Sequence, residues 1–181
     1  MSFIINIKNK IWSYFLKKET DKIKRNRKLL NLSDAKTIGI IYQVNQEEHY
    51  NVICSFIKEL QDKNKNVRSL GYVKDYNVVP HFCFPKLSYD YFTKKEVNWY
   101  KVPSSNFVND FVKENFDILI DLSNEDCMPI QYISAISNAS FKVGLYNDKN
   151  KNIYDFMIKV DGLTIQNLIN QIKHYLSLIN N

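Results

Sequence analysis

The chain has 181 residues, of which 45% are apolar and 24% charged, and it contains only four glycines and four prolines. This length suits one domain, and the composition excludes collagen-like and Gly/Pro-rich disordered chains. No apolar run approaches the roughly 18 residues of a membrane-spanning helix, and the first residues lack the pattern of a signal peptide. The sequence therefore predicts a cytoplasmic protein.

The net charge of +6 is distributed unevenly along the chain. Residues 1–36 carry eight lysines and two arginines against three acidic residues, whereas residues 37–181 carry 15 basic and 16 acidic residues. This distribution indicates a nearly neutral domain with a basic arm in front of it. We place the arm at residues 1–33 and the domain at residues 34–181.

The arm begins with a segment, residues 2–30, whose pattern predicts an amphipathic helix. Ile4, Ile7, Ile11 and Phe15 recur at spacings of three and four, and the lysines lie mostly off this apolar stripe. The cations that we expect to bind an anionic partner are Lys17, Lys18, Lys22, Lys24, Arg25, Arg27 and Lys28.

Three interpretations of the arm remain open. An apolar stripe beside lysines is typical of a helix that lies in a membrane interface, here at the inner face of the membrane. The cation cluster is equally typical of an arm that neutralises the phosphates of nucleic acid. In the third interpretation the stripe packs within the protein, either on the domain or on a second copy. Packing on a second copy would form a homo-oligomer through the terminal helices. We favour RNA or the ribosome ahead of a membrane surface.

From residue 37 onward, short apolar runs alternate with amphipathic segments. Strands are expected at residues 37–44, 67–73, 116–122, 141–145 and 154–160. Helices are expected at residues 45–64, from Ser104 or Ser105 to about residue 115, at 128–138 and at 164–178. The stretch 74–103 is the least regular, with a short strand expected at 97–102. The alternation predicts an α/β fold with a single Rossmann-like, mostly parallel sheet of about five strands and helices on both faces.

In such a sheet, ligands bind at the carboxyl ends of the strands. Two polar loops follow predicted strands, and their candidate pocket residues are Tyr42, Gln43, Asn45, Asp121, Ser123 and Asn124. Neither loop has the glycine-rich pattern that cradles phosphate. The run from Ile118 to Asp121 resembles a Walker B strand, but without a phosphate loop the favoured role of Asp121 is to cap the loop after it.

The cysteines and histidines do not form a recognisable catalytic or metal-binding pattern. Three cysteines and three histidines are scattered along the chain, with no pair of Cys-x-x-Cys or His-Glu-x-x-His type. We therefore expect no metal, no cofactor and no catalytic residue, and we favour a non-enzymatic docking module. The alternative is a small transferase or hydrolase with its site around Asp121.

Segments along nearly the whole chain carry a family resemblance. They are residues 34–40 (DAKTIGI), 70–73 (LGYV), 116–123 (FDILIDLS), 137–144 (SNASFKVG), 154–158 (YDFMI) and the closing helix LINQIKHYLSLI. In these segments the chain resembles a family of uncharacterised Bacteroidota proteins classed as a domain of unknown function. The resemblance implies a Rossmann-like fold and names no activity.

Residues 116–145 also present an aspartate-containing strand, a helix and a glycine-containing strand in succession. This stretch is similar to the N-terminal domain of heptosyltransferase-type glycosyltransferases. Those enzymes use a second domain to hold a nucleotide sugar, and their catalytic Gly/Asp loop is replaced here by residues 43–46 (QVNQ). The resemblance therefore implies the fold rather than the transferase activity.

Overall fold

A computed structural model describes the backbone of residues 2–74, 79–83, 88–160, 162 and 164–179. Side chains are described for these residues except 2–9 and 149. Among these residues, no helix has both the length and the apolar character needed to cross a bilayer.

Within the described ranges, six strands form one sheet in which every neighbouring pair is parallel. The strands are β1 (Thr37–Gln43), β2 (Asn66–Val73), β3 (Tyr89–Thr93), β4 (Ile118–Asp121), β5 (Phe141–Leu145) and β6 (Phe156–Ile158). Their order across the sheet is β3-β2-β1-β4-β5-β6. The predicted α/β class is confirmed, with six strands where about five were expected.

The described residues form five α-helices: α1 (Ser2–Thr20), α2 (Glu47–Asp62), α3 (Asn106–Lys113), α4 (Met128–Ile136) and α5 (Ile165–Ser177). On one face α2 and α5 cover Ile40 of β1 and Ile120 of β4, and on the other face α3 and α4 cover Ile41 and Leu119. Because alternate residues of a strand point to opposite faces, a central strand covered on both sides must be apolar throughout. This explains the continuous apolar runs of β1 and β4.

The helix predicted over residues 2–30 is shorter than expected, since α1 ends at Thr20. Five of the seven residues 22–28 are cations, and a helix would place several of these like charges three or four positions apart. Residues 23–31 instead run without helical structure, and the Lys28 amide donates to the Ser140 carbonyl at 3.1 Å. The side chains of Ile4 and Ile7, which belong to the predicted stripe, lie outside the described residues.

The prediction of a strand at residues 97–102 is wrong. The third strand of the sheet is β3, and Val97 joins Pro103 only in an isolated antiparallel bridge. The Asn98 side chain accepts hydrogen bonds from the amides of Tyr100 and Val102, at 3.2 and 2.9 Å, and so holds the residues between as a loop. Side-chain bonds of this kind compete with a strand ladder, and the local residue pattern does not reveal them.

Ser105, rather than Ser104, caps α3, because its Oγ accepts from the Val108 amide at 3.3 Å. We expect Ser105→Ala to lower the free energy of unfolding by about 1 kcal/mol, since one amide at the helix start loses its acceptor. Ser104→Ala is the matched control and is expected to change it by less than about 0.5 kcal/mol. Denaturant unfolding of both variants tests this, and equal effects would contradict the assigned cap.

Candidate functional site at the carboxyl edge and the basic arm

The strand order of the sheet reverses between the neighbouring strands β1 and β4. From β1 the chain proceeds outward through β2 to β3, and it then returns to place β4 on the other side of β1. In sheets of this order the carboxyl ends at the reversal border a crevice that commonly binds ligands. Gln43 ends β1 and Asp121 ends β4, so both predicted loops meet at this edge.

The predicted pocket residues are divided between two cavities. Asp121, Ser123 and Asn124 line an acidic cavity of about 270 Å³, and Gln43 lines a second, basic cavity of about 320 Å³. The side chain of Tyr42 is fully buried in the core between the sheet and α2, and Asn45 is half-buried after β1. Neither is among the described residues that line the two cavities.

Asp121 is held by two contacts at the wall of the acidic cavity. Its Oδ1 accepts from the Ser123 amide at 2.7 Å, and its Oδ2 accepts from the Tyr154 hydroxyl. The Tyr154 ring lies against Gly144 of β5, where a Cβ atom would come within 2.9 Å of the ring. Gly144 thus provides the space that lets Tyr154 reach Asp121.

Burial raises the pKa of Asp121, while the hydrogen bonds from Tyr154 and Ser123 oppose this shift. Burial also raises the pKa of Tyr154, and the nearby Asp121 carboxylate adds to the shift. With a side chain only 4% exposed and both oxygens engaged, Asp121 caps the loop after β4. Its geometry is that of a structural carboxyl group.

Cys127, directly before α4, borders both cavities. A helix start can lower the pKa of a thiol, but burial has the larger effect here and raises the pKa of Cys127 to about 12. At neutral pH the group is therefore a thiol rather than a nucleophilic thiolate.

The basic cavity brings together three lysines that are distant in sequence. Lys74 follows β2, Lys94 lies in a short 3-10 turn after β3, and Lys101 lies in the loop before α3. Gln43 also lines the cavity, and its Oε1 is buried without a hydrogen-bond partner among the described residues. No local pattern marks these lysines, because only the order of the sheet places the three segments at one edge.

A row of aromatic rings connects the arm to this edge. Phe15 of α1 stacks on Tyr100, with ring centroids 4.8 Å apart and an interplanar angle of 15°. Tyr14 extends the row at one end and Trp99 at the other, at centroid distances of 5.9 and 5.1 Å from their neighbours. Tyr14 is 66% exposed and Trp99 is 63% exposed. The sequence indicated the apolar stripe of α1 but did not reveal its partner Tyr100.

The arm cations fall into two groups. Arg25 forms a bidentate ion pair with Asp155, with both N–O distances at 2.6 Å, and its side chain is only 8% exposed. Its neighbour Arg27 approaches Asp155 at 3.8 Å but remains 72% exposed. Six of the seven predicted contact cations are exposed, namely Lys17, Lys18, Lys22, Lys24, Arg27 and Lys28, and Lys10 of α1 is exposed as well. Arg25 therefore attaches the arm to the domain, whereas the other six face solvent.

The raised pKa of Asp121 has a consequence for stability. Above the ordinary carboxyl pKa of about 4, the unfolded chain loses this proton before the folded chain does, so the contribution of Asp121 to stability falls as pH rises. The quantity to compare is the difference in the free energy of unfolding between the wild type and Asp121→Asn. We expect this difference to decrease from about pH 4 to about pH 8. Chemical denaturation of both proteins across this range measures the difference. Glu125→Gln, at an exposed carboxyl of the same loop, is the control, and a flat difference for Asp121→Asn would contradict the assignment.

Comparison with known proteins identifies a family. No curated protein and no solved structure matches the chain. The model of a family of unknown function, DUF6913, matches residues 8–179, a range that includes all six strands and both cavities of the carboxyl edge. On this match over nearly its whole length, the chain belongs to the family of unknown function DUF6913.

Proposed function

We propose that this protein is a non-enzymatic binding module for single-stranded RNA, including ribosomal RNA. The contact surface, here called the basic–aromatic surface, consists of the exposed rings of Tyr14 and Trp99 and the exposed cations of the arm. The stacking of Phe15 on Tyr100 is the observation that carries this proposal, because it brings the two exposed rings into one row beside the lysines of α1.

The chemistry of this surface suits a single strand. Unpaired bases stack on exposed aromatic rings, and lysines and arginines contact the phosphates between the bases. Lys17 and Lys18 follow Tyr14 in the last turn of α1, and Lys101 follows the Trp99–Tyr100 pair. Cations thus lie beside both ends of the row of rings, as binding of a base and its phosphate requires.

The packing of α1 favours RNA over a membrane surface. A helix that lies in a membrane interface needs a free apolar face. In the described part of α1, Trp12, Phe15 and Leu16 are half-buried, and Leu16 packs against a cluster that includes Ala135 of α4. This apolar face is used within the protein, while the outward side presents cations.

The attachment of the arm to the domain reduces the set of arm residues that we assign to RNA binding. Because both carboxylate oxygens of Asp155 accept from Arg25, this arginine orients the arm and is not counted among the RNA contacts. The other six predicted contact cations, all of them exposed, remain as phosphate contacts.

The second candidate is a small transferase or hydrolase at Asp121, resembling half of a heptosyltransferase-type enzyme. A cavity lined by a carboxyl group of raised pKa supports it. Against it stand the engagement of both Asp121 oxygens and the high pKa of the Cys127 thiol. The finer resemblances, to Bacteroidota proteins and to these enzymes, stay predictions, as does a cytoplasmic location.

Removal of either exposed ring tests the stacking component. We expect Trp99→Ala and Tyr14→Ala each to weaken binding of a labelled oligouridylate by about tenfold, since stacking of a base on an aromatic ring contributes about 1–3 kcal/mol. Tyr175→Ala is the control, because Tyr175 is an exposed ring of α5 on the opposite face of the sheet. Fluorescence anisotropy measures the affinities, and equal affinities for all four proteins would contradict the proposal.

Neutralisation of arm lysines tests the electrostatic component. We expect the double variant Lys17→Gln/Lys18→Gln to reduce the slope of log affinity against log salt concentration by about 1.4, since each phosphate contact with a single strand contributes about 0.7. The control Lys58→Gln/Lys63→Gln removes the same charge from α2 and from the residue that follows it, on the opposite face. Binding to anionic vesicles with no binding to RNA would instead assign the surface to a membrane.

A further inference from the structure

The segment that follows α1 covers a third cavity, of about 370 Å³, between the arm, α4 and β5. Four cations line it: Lys24, Arg25, Arg27 and Lys142. No carboxylate is among the described residues of its lining. The cavity is therefore a basic pocket that the docked arm creates, and it is distinct from the two cavities at the carboxyl edge.

Lys142, on β5, is the unusual member of this group because it is only 2% exposed. Its Nζ donates one hydrogen bond, to the Ala135 carbonyl at 2.9 Å. An ammonium group has three N–H donors, and a buried lysine is normally paired with a carboxylate. Among the described residues, Lys142 forms no ion pair.

The carboxylate that could have neutralised Lys142 is already engaged. Both oxygens of Asp155 accept from Arg25, and its Oδ2 also accepts from the backbone amide of Lys142 at 2.9 Å. Arg25 thus cancels the charge of Asp155, and the pocket keeps the charges of Lys24 and Arg27 together with the Lys142 amine.

This environment makes the charge of Lys142 sensitive to what enters the pocket. Burial and, to a smaller extent, repulsion by Arg25 and Arg27 lower the pKa of Lys142, Asp155 opposes them, and the combined effect is a pKa of about 7. An anion bound among these groups would favour the charged amine and would supply the acceptor that its remaining N–H groups lack.

We infer that this pocket binds a phosphate monoester. Such a group carries close to two negative charges at neutral pH, whereas a phosphodiester carries one, so it is the better match for several cations and one buried amine. The volume exceeds that of a bare phosphate and lies within the range of small-molecule sites, and Ile23 and Ile153 offer apolar walls for an attached sugar or base.

Two sources can present this chemistry: the 5′ end of an RNA and a free nucleoside 5′-monophosphate. Recognition of an RNA end rests on the proposed function, because Lys24 and Arg27 also belong to the basic–aromatic surface. Binding of the free nucleotide does not depend on it.

The experiment compares the full chain with two oligouridylates of one sequence, one with a 5′-phosphate and one with a 5′-hydroxyl, and with uridine 5′-monophosphate. We expect the phosphorylated oligomer to bind at least about tenfold more tightly, because hydrogen bonds to charged groups contribute enough free energy for a change in affinity of this size. Lys142→Met should abolish this preference and leave the affinity for the hydroxyl oligomer unchanged. Lys142→Gln is the second variant, and circular dichroism checks that both fold.

Proton uptake provides a readout that a purely structural role of Lys142 would not produce. At pH 8 the free amine is mostly neutral, so binding of the dianion should take up a proton, and the affinity should weaken as pH rises from about 7 to about 9. Calorimetry in two buffers of different ionisation enthalpy measures the uptake, and both variants should lack it.

The outcomes separate this inference from the proposed function. Equal affinity for the two oligomers, without proton uptake, would overturn the phosphate pocket and leave RNA binding standing. Binding of the mononucleotide with proton uptake, but of neither oligomer, would support the pocket and overturn RNA binding. Absence of binding by all three ligands would overturn both.

Discussion

The ion pair between Arg25 and Asp155 is the contact on which the organisation of this protein depends. A guanidinium group matches a carboxylate in two parallel hydrogen bonds, and this planar geometry fixes direction as well as distance. Here it holds the segment after α1 against the sheet, where the Lys28 amide also pairs with the Ser140 carbonyl. The same carboxylate accepts from the Lys142 amide, so the arm and the start of β5 share one anchor.

This anchor separates the roles of the arm cations. Arg25 neutralises Asp155, the one carboxylate among the described residues that acts on Lys142, and this leaves a basic pocket beneath the arm with one amine buried in it. The remaining cations stay on the outer surface, next to the aromatic row that begins on α1. A neutral domain thereby acquires a positive surface whose position is set by packing and does not depend on a flexible tail.

The carboxyl edge of the sheet divides into regions of opposite charge at the start of α4. Asp121 and Glu125 border the acidic cavity, three lysines from other segments border the basic one, and Asp126 borders both. Asp121 is buried and used to cap its loop, so the acidic side is largely structural. The basic side continues through the Trp99–Tyr100–Lys101 loop to α1, so the edge and the arm form one continuous surface of cations and aromatic rings, which we propose as the contact for RNA.

The sequence by itself determined the elements whose signals are local. The apolar runs of β1 and β4 predicted strands, Thr164 and a serine before residue 106 predicted helix starts, and the charge distribution marked the arm, because each of these depends on neighbouring residues. Only the tertiary structure decided that β3 precedes residue 97, that Arg25 is paired while its neighbours are exposed, and that Lys142 forms no ion pair within the described part of the chain. These outcomes depend on contacts between residues up to 130 positions apart, such as Arg25 and Asp155, which no local periodicity encodes.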